Sequence, residues 1–220
     1  MAGKNAEVAD GAVMPGTLWI VSAPSGAGKT SLTQALVQRL RIDGFTAAIS
    51  ISYTTRPARH GEVDGEHYHF ISAEKFFTMV VAGDFLEHAE VFGHHYGTGR
   101  GATRQQLNAG CQLFLDIDWQ GARQLQEHSV DTRSIFIVPP SAQELERRLR
   151  GRGQDADSVI ADRMRSAITE MSHYREYDFL LVNDDFERAL DAMRAVVLAE
   201  GARTSVQSQR HASLLKALLD

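Results

Sequence analysis

This chain is organised around the stretch Ser22-Ala23-Pro24-Ser25-Gly26-Ala27-Gly28-Lys29-Thr30. It follows a short apolar run, Leu18 to Val21, and precedes a run with helical spacing, Ser31 to Arg41, so the pattern predicts a strand, a small-residue turn and a helix. Small residues let successive backbone amides point into one hollow, and the helix adds the positive end of its dipole. The ending Gly-Lys-Thr puts an ammonium group and a hydroxyl where a triphosphate and its magnesium ion would lie. The stretch therefore predicts a phosphate-binding loop.

This loop departs from the common pattern at its first position, where Ala23 stands instead of glycine. Gly26 and Gly28 keep the tight turn feasible. The alternative is a glycine-rich connection between a strand and a helix that binds no nucleotide, and the Gly-Lys-Thr ending argues against it.

Length and charge limit the class of protein. The 220 residues are enough for one domain, or for one domain with inserted lobes. The net charge of -5 argues against general nucleic-acid binding, which needs a broad basic surface, so any basic site must be local. We therefore expect no nucleic-acid partner. Since no run approaches the ~18 apolar residues of a membrane span, we expect no membrane partner either.

The N-terminal residues and the single cysteine indicate a cellular compartment. Residues 1–15 mix small and charged residues without an apolar core, which predicts a disordered tail rather than a signal peptide. The single cysteine, Cys111, lies in an apolar run, where a buried and inert thiol is expected. A reducing compartment fits this pattern, and we expect a cytoplasmic protein.

Alternating strand and helix patterns indicate an α/β protein with a parallel sheet covered on both faces. Between Tyr53 and Gly101 the apolar runs shorten and Arg, His, Tyr and Gly dominate, which favours an inserted lobe. The expected divisions are core at 16–51, lobe at 52–100, core at 101–150, lid at 151–165, core at 166–203 and a C-terminal helix or tail at 204–220.

Two further segments invite a functional interpretation. Between Arg147 and Arg165 there are six arginines and three acids, and Gly151-Arg152-Gly153 breaks the helical pattern. This predicts a mobile flap that closes on an anion, with a solvated basic face as the alternative. Near the end, Leu214, Leu215, Leu218 and Leu219 are spaced as in a helix that docks on the core or pairs with another subunit. A homo-oligomer is therefore left open.

The phosphate loop alone is shared by GTPases, motor ATPases and small-molecule kinases, so the inserted lobe must distinguish them. The lobe carries two arginines three residues apart, Arg56 and Arg59, with tyrosines nearby. Their donors could hold one phosphate group through several charge-assisted hydrogen bonds.

Seven motifs in a fixed order make the chain resemble the guanylate kinases, and closely the bacterial ones, over residues 16 to 210. They are Ala-Pro-Ser-Gly-Ala-Gly-Lys-Thr, Thr-Thr-Arg with a second arginine and Gly-Glu, Phe-Leu-Glu-His-Ala, Tyr-Gly-Thr, Asp-Ile-Asp-Trp-Gln-Gly, Gly-Arg-Gly and Val-Asn-Asp-Asp. The resemblance implies a P-loop NTPase fold with a mixed GMP-binding lobe and an Arg-rich lid. It implies magnesium-dependent transfer of the γ-phosphoryl group of ATP to GMP, and to dGMP, in purine nucleotide metabolism.

The resemblance also implies the acceptor site. The implied GMP-binding residues are Ser52, Arg56, Arg59, Glu62, Tyr68, Glu87, Tyr96, Thr98 and Asp118. Two arginines and two tyrosines among them would hold the phosphate, and Ser52, Glu87, Thr98 and Asp118 would contact the base. Guanine offers a ring N–H and an adjacent amino group that one carboxylate can accept together, whereas adenine presents a lone pair there. A site built for such donors can discriminate by ~10⁴-fold.

For the donor nucleotide, the resemblance implies the loop and five residues beyond it. The implied ATP-binding residues are Ala23, Pro24, Ser25, Gly26, Ala27, Gly28, Lys29, Thr30 and Asn183, the last beside adenine. Thr30 would hold Mg²⁺, and Asp116 would hold the ion through water. The implied catalytic residues are Lys29, Arg148, Arg152 and Arg163, with the three arginines surrounding the phosphates when the flap closes.

Two departures and three alternatives accompany this interpretation. Pro57 directly follows Arg56, which predicts a different local turn, and Gly99 and Gly101 loosen the start of the next helix. A catalytically silent guanylate-kinase-like module that binds proteins would tend to lose the lysine or the flap arginines, which are present here. A regulatory GTPase would carry Asn-Lys-x-Asp, which is absent. A zinc site at His67 and His69 lacks a third ligand at metal spacing.

Overall fold

The structure is a computed structural model and describes residues 15–91, 93–128, 130–151 and 156–220. Residues 1–14 of the predicted tail and Arg152 of the predicted flap lie outside the described residues.

A five-stranded parallel sheet forms the core. Its strands are β1 (Leu18–Ser22), β2 (Ala47–Ile49), β7 (Gln112–Asp116), β8 (Arg133–Val138) and β9 (Phe179–Val182). Their order in the sheet is β2-β7-β1-β8-β9, and every neighbouring pair is parallel. This confirms the predicted α/β class with a parallel core.

Side chains of β1 alternate between the two faces of the sheet, as the period of a strand requires. Trp19 and Val21 join the cluster beneath helices α1 (Lys29–Ile42) and α7 (Phe186–Gly201). Leu18 and Ile20 join the cluster on the other face, which helices α3 (Arg100–Asn108) and α4 (Trp119–Glu127) cover. Because both faces are buried, the loops at the strand ends are left to form the site.

A second sheet forms the inserted lobe. Its strands are β3 (Tyr53–Thr54), β4 (His69–Phe70), β5 (Phe85–Val91) and β6 (His94–Gly99), in the order β4-β3-β6-β5. The pair β3–β4 is parallel and the other pairs are antiparallel, so the sheet is mixed. Helix α2 (Ala73–Ala82) is capped by Ser72 and packs Phe76 against Phe85, with ring centroids 4.7 Å apart.

Hydrogen bonds support the start of α3 in spite of its two glycines, Gly99 and Gly101. Gly99 is the N-cap residue and makes no side-chain capping bond. Its carbonyl accepts the hydroxyl of Thr103 at 2.8 Å, and the guanidinium of Arg100 donates to the carbonyls of Gly83 and Phe85. The expected loosening is therefore offset by contacts from the helix itself.

Helices α5 (Ala142–Arg150) and α6 (Asp157–Ser172) share a small apolar cluster of their own, and a 3₁₀ turn (His173–Glu176) follows α6. Ser141 caps α5 by accepting the N–H of Glu144 at 3.1 Å. The spacing of Ser141 and Glu144 in the sequence predicts a capping box, but the carboxylate of Glu144 binds Arg147 and Arg148.

The C-terminal segment forms two helices, α8 (Thr204–Arg210) and α9 (Ala212–Leu219), where one was predicted. None of their residues is buried. The exposed fractions of Leu215 and Leu219 are 39% and 85%, so the leucines do not dock on the core of this chain. Pairing with another subunit stays a prediction. Among the described residues, no helix combines the length and apolar character needed to cross a membrane.

Candidate active site

The phosphate loop joins β1 to α1 through two glycines in the left-handed region. Gly26 and Gly28 have φ angles of 92° and 93°. Gly28 is the N-cap residue of α1 and makes no side-chain capping bond, so the first N–H donors of the helix are left for an anion. A Cβ atom at Gly28 would also lie 2.5 Å from Nδ2 of Asn183. Ala23 packs against the core beneath α1.

Lys29 and Thr30 meet Asp116 at the carboxyl end of β7. The ammonium group of Lys29 pairs with Oδ1 of Asp116 and donates to the carbonyl of Ile117 at 3.2 Å. The hydroxyl of Thr30 donates to Oδ2 of Asp116 at 2.9 Å. A hydroxyl and a carboxylate oxygen are hard ligands of the kind Mg²⁺ takes beside phosphate and water, so this pair fits the expected metal.

The paired histidines of the lobe have other contacts. Nδ1 of His67 accepts the N–H of Val63 at 3.1 Å, and the ring of His69 lies 4.6 Å from that of Tyr53. The described part of the chain contains no cluster of three or more His, Cys, Asp or Glu side chains suited to a metal ion.

Asn183 links β9 to the phosphate loop. Its side chain is 5% exposed and donates to the carbonyl of Ala27 at 2.7 Å. Its own carbonyl accepts from Arg148 at 3.0 Å, and Arg148 also binds Glu144 at 2.8 Å. Asn183, which was expected beside adenine, thus supports the loop. It also places Arg148, one of the arginines predicted to bind phosphate, next to that loop.

Helix α6 presents two charged residues that lie two turns apart and hence on one face. One is the predicted Arg163, which is half-buried. The other, Glu170, was not anticipated from the sequence; its carboxyl group lies near the backbone N–H of Ser25 in the loop. Burial raises the pKa of Glu170, while nearby Lys29 lowers it. The spacing from Arg163 is the sequence signal that could have identified it.

Arg56 is the centre of the predicted grip on the acceptor phosphate. It is 8% exposed and donates twice to Glu62, at 2.8 Å each. Its guanidinium lies 5.4 Å from the ring centroid of Tyr68 and close to the side chain of Tyr96. The unusual Pro57 contributes its carbonyl, which accepts from Arg56 at 2.7 Å.

Glu62 holds the two arginine segments together. Besides binding Arg56, its carboxylate accepts the backbone N–H of Arg59 at 2.7 Å. The Arg56 hydrogen bonds lower the pKa of Glu62 to about 2. Glu62, expected among the GMP-binding residues, therefore has its carboxylate engaged in positioning Arg56.

Glu87 and Thr98 face each other across β5 and β6. The hydroxyl of Thr98 donates to Oε1 of Glu87 at 2.5 Å, and Glu87 is 4% exposed. Burial raises the pKa of Glu87 to about 7, the Thr98 hydrogen bond opposes that shift, and the negative charge of Asp118 adds to it. An acid that titrates near neutrality beside a second acid is typical of a functional site.

Asp118 caps helix α4. Its Oδ1 accepts the backbone N–H of Gly121 at 3.0 Å, and its Oδ2 accepts from Gln120 at 3.0 Å. Ser52 lies in the segment before β3, where its carbonyl accepts the N–H of His69. Burial raises the pKa of Tyr68 and the charge of Asp116 adds to the shift, so the lobe and the loop lie within electrostatic reach of each other.

A cavity of about 830 Å³ lies elsewhere in the fold. Leu18, Gln112 and Arg133 line it, and all three are at the amino ends of core strands. Ligands of parallel α/β sheets bind at the carboxyl ends, where the phosphate loop and Asp116 lie. The candidate site is therefore the cleft between that edge and the lobe.

Comparison with known proteins agrees with this geometry. A family model described as guanylate kinase matches residues 16–200. The chain is 56% identical over 204 residues to a guanylate kinase of Salmonella choleraesuis and 55% identical to one of Escherichia coli K12, covering 93% of this chain and 98% of each relative. A crystal structure of guanylate kinase from Anaplasma phagocytophilum superposes with a TM-score of 0.70 at 33% identity, over 87% of this chain and 89% of that one. The chain belongs to the guanylate kinase family of nucleoside monophosphate kinases.

Proposed function

We propose that this protein transfers the γ-phosphoryl group of ATP to GMP, giving ADP and GDP, with Mg²⁺ as cofactor. The observation that carries the proposal is the buried pair of Glu87 and Thr98 in the lobe, beside a phosphate loop that holds Lys29. We assign the reaction to purine nucleotide metabolism in the cytoplasm, where the single buried thiol of Cys111 would stay reduced.

Base recognition would depend on the ionised form of Glu87. A carboxylate accepts both the ring N–H and the amino group on one edge of guanine, and Asp118 brings a second acceptor nearby. With AMP, the ring nitrogen of adenine would place a hydrogen-bond acceptor against the buried carboxylate of Glu87. That carboxylate would then receive no hydrogen bond from the base. The same groups would hold dGMP, because it carries the same base and phosphate.

The acceptor phosphate would bind Arg56, which Glu62 keeps oriented, together with Arg59 and the hydroxyls of Tyr68 and Tyr96. The attacking oxygen belongs to the phosphate of GMP, whose second pKa of ~6 leaves it largely ionised at pH 7. No covalent nucleophile or general base is therefore needed, and the protein contributes alignment and charge neutralisation.

On the donor side, Lys29 would exchange Asp116 for phosphate oxygens of ATP, and Arg148 would approach from α5. We propose that Arg152 and Arg163 add to this charge when the flap closes. Thr30 and Asp116 are the residues that would hold Mg²⁺, the latter through water, and the bound ion neutralises charge on the phosphates.

An assay of ADP formation with GMP, AMP, CMP and UMP offered separately tests the proposal. We expect GMP to be preferred over AMP by up to about 10⁴-fold in kcat/KM. The Lys29→Ala variant should lose turnover and still bind GMP. Comparable rates with AMP would contradict base recognition by Glu87 and Asp118, and no turnover with any nucleotide would favour the protein-binding module instead.

A further inference from the structure

Gly121 is a glycine where helix formation alone would favour alanine. It is the third residue of α4, it is buried, and its backbone is helical. Glycine in a helix costs about 1 kcal/mol relative to alanine, and a helical φ angle gives no reason to avoid a side chain. The reason must lie in the space around its Cα.

That space is occupied by Glu87 of the lobe. A Cβ atom at Gly121 would lie 2.5 Å from Oε2 of Glu87 and 3.1 Å from its Cδ. The end of a glutamate side chain could ordinarily swing aside from such a contact. Here the other oxygen is held by Thr98 at 2.5 Å and the side chain is 4% exposed, so any movement would break a buried hydrogen bond.

The same glycine also contacts Asp118, the second carboxylate that we assign to base recognition. Its backbone N–H donates to Oδ1 of Asp118 at 3.0 Å. The missing side chain of Gly121 thus leaves the space that Glu87 occupies, and the backbone amide of Gly121 binds Asp118. One residue sets where both carboxylates stand relative to each other.

We propose that Gly121 is a positioning residue that determines base specificity: the absence of its side chain lets the carboxylate of Glu87 reach the place where guanine is recognised. This inference rests on the proposed function, in which Glu87 and Asp118 contact the base. Gly121 itself need not touch the nucleotide.

The test compares Gly121→Ala with a matched control. A displacement of about 1 Å at a binding group can cost up to about 100-fold, so we expect the KM for GMP to rise by about 10–100-fold and the preference for GMP over AMP to fall. The KM for ATP should stay unchanged, and the melting temperature should fall because the buried hydrogen bond of Glu87 is broken. Gly101→Ala in the first turn of α3, where nothing lies within 4 Å of the added methyl group, should change neither KM.

A double-mutant cycle separates positioning from general disruption. In a Glu87→Ala background the overlap is removed, so adding Gly121→Ala should change the KM for GMP no further, even if the single Gly121→Ala variant fails to fold. An unchanged KM in the Gly121→Ala enzyme, or a further loss in the double variant, would overturn the inference. If Glu87→Ala alone leaves the KM for GMP unchanged, base recognition by Glu87 is wrong, and the inference falls with it.

Discussion

Several side chains of the site bind protein groups that a sequence motif does not show. Glu62 binds Arg56, Asn183 binds the carbonyl of Ala27, and Asp118 caps α4. Each is polar and partly or fully removed from water, so each needs such a partner. The motifs predicted which residue types would gather here. Glu62 and Asp118 have partners nearby in the sequence, whereas Asn183 reaches Ala27 only because distant segments pack together.

Glu87→Gln should change how stability depends on pH. The pKa of Glu87 is about 7 in the folded protein and near 4.5 when unfolded, so the folded state binds more protons between these values. The wild-type free energy of unfolding is therefore lowered as pH rises from 4.5 to 7, by as much as about 3 kcal/mol. Glutamine removes this dependence.

Urea denaturation of both proteins at pH 5 and pH 8 measures the difference. The stability of Glu87→Gln relative to the wild type should increase between the two pH values, and other titrating groups cancel in the comparison. An equal difference at both pH values would show that the carboxyl group is not buried in the way described.

The elements were predicted best where local pattern and packing agree. The sequence pattern predicts a strand over Phe179–Val182 and a helix over Trp119–Glu127, and both have these ends in the structure. The weak alternation from Thr46 to Ser52 predicts a longer strand than the observed Ala47–Ile49, because β7 pairs only with that part before the chain turns toward the lobe. Strand propensity alone does not predict where the pairing with a neighbouring strand ends.

The contact between the loop and β9 predicts different effects for two glycine substitutions. Gly28→Ala and Gly44→Ala both put a side chain at positive φ, 93° and 88°, which costs roughly 1–2 kcal/mol of stability. Only at Gly28 would the methyl group also meet Asn183, at 2.5 Å, whereas nothing lies within 4 Å at Gly44. We expect both variants to lose stability in urea denaturation and only Gly28→Ala to bind ATP more weakly. Equal KM values for ATP would contradict this role of Asn183.

At the scale of the whole molecule, the core ends before the last helix. Residues of α9 are exposed, whereas Val197 of α7 is 4% exposed and belongs to the cluster beneath the sheet. Deletion of residues 212–220 should therefore leave the melting temperature and the kcat unchanged. Val197→Ala should lower the free energy of unfolding by about 1–3 kcal/mol.

Thermal melting and the ADP-formation assay, on equal protein concentrations, check this expectation. A fall of several degrees in the melting temperature after the deletion would show that the exposed leucines are covered in solution. Light scattering on the same samples would then report whether a second subunit covers them.

The phosphate loop, the parallel α/β class and the residue types of the site were predicted from the amino-acid sequence alone. These features are local: a loop motif, the alternation of strand and helix patterns and the spacing of arginines all lie within short stretches of chain. The folded structure was needed to show that Gly121 leaves room for Glu87 and that Asn183 supports the loop at Ala27. Each pair joins segments that are distant in the chain, and the cost of an added methyl group or an unpaired amide exists only once those segments have packed together.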